Sequence, residues 1–164
     1  MTQFPISPDQ PPAESEMPIT LRPASAFDEP FLLDLRRATM TEHLDRVGEP
    51  TTSEAHDQRM RYRFEEARIV CIGGARIGLL KAYRDATGWV LLQVQILPSH
   101  QGRGIGSRIV RAMLDQARQE HLPVCLNVLK GNPARRLYER LGFCSTGETD
   151  SEVTMVWNPQ AAAP

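Results

Sequence analysis

Three glycines at alternate positions, Gly102, Gly104 and Gly106, sit in the stretch SHQGRGIGSRIV, between the apolar run GWVLLQVQIL and a run with helical spacing. A helix start leaves backbone N–H groups unpaired and carries the positive end of the helix dipole, so an anion is favoured there. Residues without Cβ let that anion reach the backbone, and Arg103 and Arg108 can add charge. The same spacing also suits a tight strand-to-helix turn with solvated arginines. Two common nucleotide signatures are excluded. G-x-G-x-x-G would need glycine at Ser107 or Ile109, and the acid that holds a ribose is missing where Asn127 and Lys130 stand. G-x-x-x-x-G-K-[ST] is absent as well.

A second stretch, NPARRLYERLGF, reads as a helix capped by Asn132 ahead of Pro133, with Ala134, Leu137, Tyr138 and Leu141 on one apolar face and Gly142 just past its end. Together with ILPSHQGRGIGSRIV it resembles the GNAT N-acetyltransferases. The hallmark of that family is Q/R-x-x-G-x-G/A between the fourth strand and the third helix, here Gln101, Gly102, Arg103, Gly104, Ile105 and Gly106. The resemblance spans about Ile19 to Trp157 in element order and is most specific from Val94 to Phe143. It implies an α/β fold with a mixed, mostly antiparallel sheet, helices on both faces and a central parallel β-α-β unit. It also implies acetyl-coenzyme A as co-substrate. Amides from Gln101 to Ser107 would hold the pyrophosphate, and main chain near Val94 and Ile96 would pair with the pantetheine arm. Asn127 and Asn132 join the coenzyme-binding set, and Tyr138 corresponds to the tyrosine beside the coenzyme sulfur.

Acetyl transfer to an amine needs an uncharged nitrogen, stabilisation of an oxyanion and a proton for the departing thiolate. A backbone N–H at Ile96 could serve the oxyanion. Tyr138 could serve the thiolate, or could simply complete the apolar face of its helix. A base is harder to find. Many relatives carry an acid on the strand before the glycine turn, where this chain has Gln93 and Gln95, which take up no proton. Extending the face Phe31, Leu35, Ala38 brings Glu42 onto an apolar stripe, which makes Glu42 the leading substitute and His43 the next; both also read as solvated residues beyond a helix end. His100 is expected to shape the turn. Four scattered histidines without close Cys/His spacing imply no metal.

Positioning these groups requires the elements around them. Alternation in ITLRPA predicts a strand, and Asp28, Glu29 and Pro30 predict a helix start. TSEAHDQRMRYRFEE predicts a second helix, and RIVCIGG, ARIGLLKAY and GWVLLQVQIL predict an antiparallel meander. After the glycines, Ile109, Val110, Met113, Leu114 and Ala117 recur at helical spacing up to Pro123, before the strand VCLNVL. A crossover helix makes its flanking strands parallel. VTMVW is expected to be the last strand. Seven of the 13 prolines precede residue 31, so residues 1–17 are expected to be a disordered lead-in, 18–158 the single domain, and 159–164 a loose tail.

Composition bounds the function. A chain of 164 residues, 41% hydrophobic, can bury one core of its own. A net charge of −1 argues against nucleic-acid binding, and no run reaches the ~20 apolar residues of a membrane span. An odd number of cysteines, Cys71, Cys125 and Cys144, in strand-like segments argues against a disulfide framework and for a cytoplasmic protein. The expected activity is direct transfer of acetyl from acetyl-coenzyme A to a primary amine, that of a small molecule, in a ternary complex. Acetylation of a protein N-terminus or lysine, and a non-catalytic acyl-coenzyme A-binding module, are the alternatives. The first two helices should shape the acceptor pocket with Arg36, Arg37, Glu42 and Arg63, where arginines would suit an acceptor that also carries a carboxylate. The resemblance allows a homodimer.

Overall fold

The computed structural model describes residues 17–160; the expectations for 1–16 and 161–164 lie outside the described residues. Seven strands form one sheet: β1 (Ile19–Pro23), β2 (Ala67–Ile72), β3 (Ala75–Arg84), β4 (Trp89–Ile96), β5 (Val124–Leu129), β6 (Cys144–Glu148) and β7 (Glu152–Trp157), in the order β1-β2-β3-β4-β5-β7-β6. Every neighbouring pair is antiparallel except β4 and β5. The helix between those two strands, α3 (Ile105–Gln119), supplies the crossover that parallel pairing demands.

Strand alternation assigns the helices to both faces. Ala67, Ile69 and Cys71 of β2 pack with Leu32 and Leu35 of α1 (Glu29–Arg46) and with Met60 of α2 (Ser53–Arg61). Val70 and Ile72 point the other way, onto Ile105 and Ile109 of α3. A third cluster joins Val110, Met113 and Leu114 of α3 to β5, β7 and Tyr138 of α4 (Ala134–Arg140). The cysteines are free thiols. Among the described residues no helix is long and apolar enough to cross a membrane.

Three sequence expectations need correction. The buried stripe of α1 is Leu32, Leu35, Arg36 and Leu44, with Ala38 exposed, so the face is rotated from the expected one and leaves Glu42 outside. The second helix ends at Arg61 instead of running on to Glu66. Tyr62 is extended, Arg63 is left-handed at φ 49°, and Phe64–Glu66 form a single 3-10 turn. Lys81 explains the stop: its ammonium donates to the carbonyls of Met60 at 3.0 Å and Tyr62 at 2.7 Å, and Arg63 stacks on the Tyr83 ring at 3.6 Å. Strand β6 was not foreseen, because CSTGE is exposed throughout and shows no alternation.

The entry to α1 is pinned by Asp28, which is 2% exposed. Its carboxylate accepts a two-pronged bond from Arg22 at 2.8 Å on each arm, one from Arg76 at 3.2 Å and one from the Ser25 amide at 2.9 Å. The Arg22 hydrogen bonds hold the Asp28 carboxyl well below the usual carboxylate range. Acidification therefore protonates the unfolded chain first, and the stabilisation, complete above the ordinary pKa of ~3.9, drains away as pH falls toward the folded value. Asp28→Asn should cost about 2 kcal/mol at pH 7, a modest figure because both arginines are half-exposed, and progressively less as pH falls below about 4. Denaturant midpoints of the two proteins across that range test this; parallel curves would show that Asp28 carries no acid sensitivity.

Candidate functional site

Parallel pairing of β4 and β5 covers only Trp89↔Val124, Val90↔Cys125 and Leu91↔Leu126. Beyond Leu91 the strands part, and the β5-facing edge of Leu92–Ile96 has no strand neighbour. The opening continues into a cleft of about 260 Å³ lined by both strands and by α1 and the end of α2. A larger groove of about 700 Å³, on the α3 face, includes Arg108 but shares no residue with the cleft and reaches neither the glycine turn nor Tyr138.

At the end of β4 the chain makes a 3-10 turn, Pro98–His100, and enters α3. The Gln101 carboxamide reaches back to donate to the Ile96 carbonyl at 2.9 Å, tying the turn to the strand end. Gly102 and Gly104 have φ of 74° and 73°, a region that side-chain-bearing residues rarely adopt. A Cβ at either would meet no atom within 4 Å, so conformation, not crowding by the protein, demands glycine, and the bare backbone faces open space. The first rung of the α3 ladder runs from the Arg108 amide to the Gly104 carbonyl at 3.0 Å. The amides of Ile105, Gly106 and Ser107 thus belong to the first turn, which lacks intrahelical acceptors. Ile105 gives its side chain to the core. The turn fits an anion by backbone, open space and dipole together.

Val94, Asn127, Asn132 and Tyr138 all line the cleft, whereas Ile96 and Gln101 to Ser107 lie beyond its lining. Asn127 accepts from the Thr154 hydroxyl at 2.8 Å. Asn132 accepts from the Ala134 amide at 2.9 Å, which makes it the cap of α4, as its position before proline predicts. Tyr138 is 9% exposed and packs edge-on against Phe143, with ring centres 5.6 Å apart. Its hydroxyl hydrogen-bonds no other described residue, and burial pushes its pKa up to about 12. The phenol therefore keeps its proton throughout the physiological range.

The other end of the cleft is basic. Lys81 pairs across strands with Gln93, and Leu79 with Gln95, so Lys81, Gln93 and Gln95 share the sheet face under α1 and α2. Arg36, Arg59 and Lys81 line this end, and Glu152 is the one acid among the lining residues. Burial, with Arg36 and Arg59 adding to it, pushes the Lys81 ammonium down to about 8, and burial and Arg59 push Arg36 down to about 10. Two buried atoms here lack partners among the described residues: Arg36 Nε and Gln95 Oε1. Lys81 and Gln95 were missed as cleft formers, although a lysine inside the apolar run IGLLKAY was a visible anomaly.

Glu42 is not brought into this arrangement. Its side chain is 84% exposed, paired with Arg46 at 3.1 Å, and absent from the cleft lining. Arg46 also donates to the Gly131 carbonyl at 3.0 Å, so the pair braces α1 against the loop before α4. His43 is partly buried, with an unpartnered Nδ1, and does not line the cleft. His100 sits on the turn with its Nδ1 2.9 Å from the Ser99 hydroxyl.

The profile of the acetyltransferase (GNAT) family matches residues 30–143. Among solved structures, the chain is similar to the PaiA N-acetyltransferase of Thermoplasma acidophilum in complex with coenzyme A (TM-score 0.68, 16% identity, covering 87% of this chain and 99% of that one). It is also similar to an acetyltransferase from Thermus thermophilus (TM-score 0.68, 20% identity, 85% and 96% covered). A third is the ribosomal-protein alanine N-acetyltransferase of Escherichia coli (TM-score 0.64, 16% identity, 88% and 96% covered).

Proposed function

From the premise that this chain belongs to the GNAT acetyltransferase family, we propose that it moves an acetyl group from acetyl-coenzyme A directly to the primary amine of a small molecule. The observation that carries the reading is the parted β4–β5 seam, with the glycine turn just past the end of β4, Tyr138 in the cleft wall and basic residues on the face under α1 and α2. The turn and seam fit the coenzyme: Gly102 and Gly104 leave open space for an anion, and the unpaired edge of Leu92–Ile96 leaves main chain for an extended amide-bearing arm. Bound there, acetyl-coenzyme A supplies a thioester carbon at which a C–N bond forms while the C–S bond breaks, the amine losing a proton and the sulfur gaining one.

The amides at the start of α3 hold the pyrophosphate, and Asn132, fixed as a helix cap, borders the arm. Tyr138 gives or shares a proton with the sulfur, a role its raised pKa suits because the hydroxyl is never lost to ionisation in the working range. Neither Gln93 nor Gln95 takes a proton from the amine, so it must enter the cleft neutral or lose its proton to water. Nearby cations help, since like charge disfavours the ammonium form. The rate should therefore climb with pH as free amine accumulates, without a descending limb from Tyr138 below about pH 10.

Thiol release from acetyl-coenzyme A, followed over a panel of small amines and amine-bearing peptides, tests the activity. Release with small amines and acetylated product is the expected result. Release only with peptides would transfer the assignment to a protein acceptor, and release with neither would leave a binding module.

A further inference from the structure

We infer that the acceptor amine carries a carboxylate, bound by Arg36 at the basic end of the cleft; this names the substrate class of the acetyl transfer proposed above and rests on that reading. Arg36 occupies a stripe of α1 otherwise filled by Leu32, Leu35 and Leu44, and it is 5% exposed. A guanidinium this deep is ordinarily met by a carboxylate or by carbonyls. Here Nε has no partner among the described residues, and the charges beside it, Arg59 and Lys81, have the same sign. The ammonium of Lys81 is already spent on the carbonyls of Met60 and Tyr62 and Arg59 is exposed to water, which leaves Arg36 as the buried donor without an acceptor. The missing group is an anion, and a guanidinium fork matches the two oxygens of a carboxylate.

The second orphan fixes where the amine goes. Gln95 is 4% exposed with Oε1 unpartnered, and a carboxamide oxygen accepts from an N–H. One buried donor and one buried acceptor in the same cleft are complemented together by a molecule with an acidic end and an amine end. Gln95 lies on the strand whose free edge faces the coenzyme seam, so an amine there stands on the reacting side, with its carboxylate turned toward α1. The surplus of positive charge then draws the acceptor in by its carboxylate while disfavouring the ammonium form of its amine.

The test uses the whole chain and matched pairs of acceptors: amino acids, their carboxamides, and the corresponding aminophosphonates. Wild type should prefer carboxylate over carboxamide by about 100-fold in kcat/KM, the scale of a hydrogen-bonded charge pair, with most of the difference in KM. Arg36→Met should reduce that ratio to below about fivefold. Without ligand, Arg36→Met should also unfold at a higher temperature than wild type, because it removes a buried charge that has no partner. An Arg36 that serves packing would lower that temperature and leave the ratio intact, which would overturn the inference. Equal use of carboxylates and carboxamides would overturn it while leaving acetyl transfer standing; a preference for phosphonates would overturn the carboxylate assignment. If no amine is acetylated, the transfer reading fails by itself. The anion site is then judged by whether amino acids, and not their carboxamides, raise the unfolding temperature of wild type but not of Arg36→Met.

Discussion

Tyr138→Phe is expected to lower kcat by about 10²-fold or more while the KM for acetyl-coenzyme A stays within about twofold. The substitution keeps the ring that meets Phe143 edge-on and deletes only the oxygen. That oxygen bonds no other described residue, so the stability cost should be well under the ~1 kcal/mol of an ordinary hydrogen bond, and any kinetic loss belongs to the chemical step. The loss should shrink with an acyl donor whose thiol is more acidic, since that thiolate departs with less help. A well-folded variant with near-wild-type kcat would reduce Tyr138 to a core residue and favour the binding-module alternative.

Gly104→Val should raise the KM for acetyl-coenzyme A by about 10²-fold. Two costs are involved, and the structure separates them. At φ 73° a β-branched residue is strained by roughly 1–2 kcal/mol whatever surrounds it. Its Cβ has no protein atom within 4 Å beyond the adjoining residues, so the side chain starts out into the open space proposed for the pyrophosphate. Gly48→Val is the control: φ is 75°, nothing lies within 4 Å of its Cβ, and it stands past the end of α1, away from the cleft lining. Both variants should lose similar stability, and only Gly104→Val should lose affinity for the coenzyme. Equal KM values would take the turn out of the binding site.

The sequence was most legible where chemistry is local. The glycines at 102 and 104 announce positive φ because few other residues tolerate it, and Asn132 before Pro133 announces a cap. Strand pairs were readable from alternation and turn residues, down to the parallel β4–β5 pair implied by the α3 crossover. What escaped depends on contacts far apart in the chain. The rotation of α1 by one position, which drops Glu42 from the stripe and buries Arg36, is set by packing on β2 and β3. The early end of α2 is set by Lys81, some twenty residues downstream. Strand β6 borrows its order from β7 and brings no pattern of its own. The basic end of the cleft is assembled from the first two of these long-range decisions, so its charge was visible only as a scatter of arginines.

The parted seam has one more consequence. A bare strand edge on the outside of a sheet is an invitation to foreign strands and hence to aggregation. Here the sheet ends at β1 and β6, and the bare edge of β4 lies in the interior, inside a wedge that narrows to nothing where Leu91 meets Leu126. A foreign strand pairing with that edge would need a full inter-strand spacing between β4 and β5, and the wedge closes on it at Leu91. Only a thin, flexible filament can thread in from the wide end. The fold therefore keeps a backbone edge open to a slender chain while shielding it from strand-by-strand association.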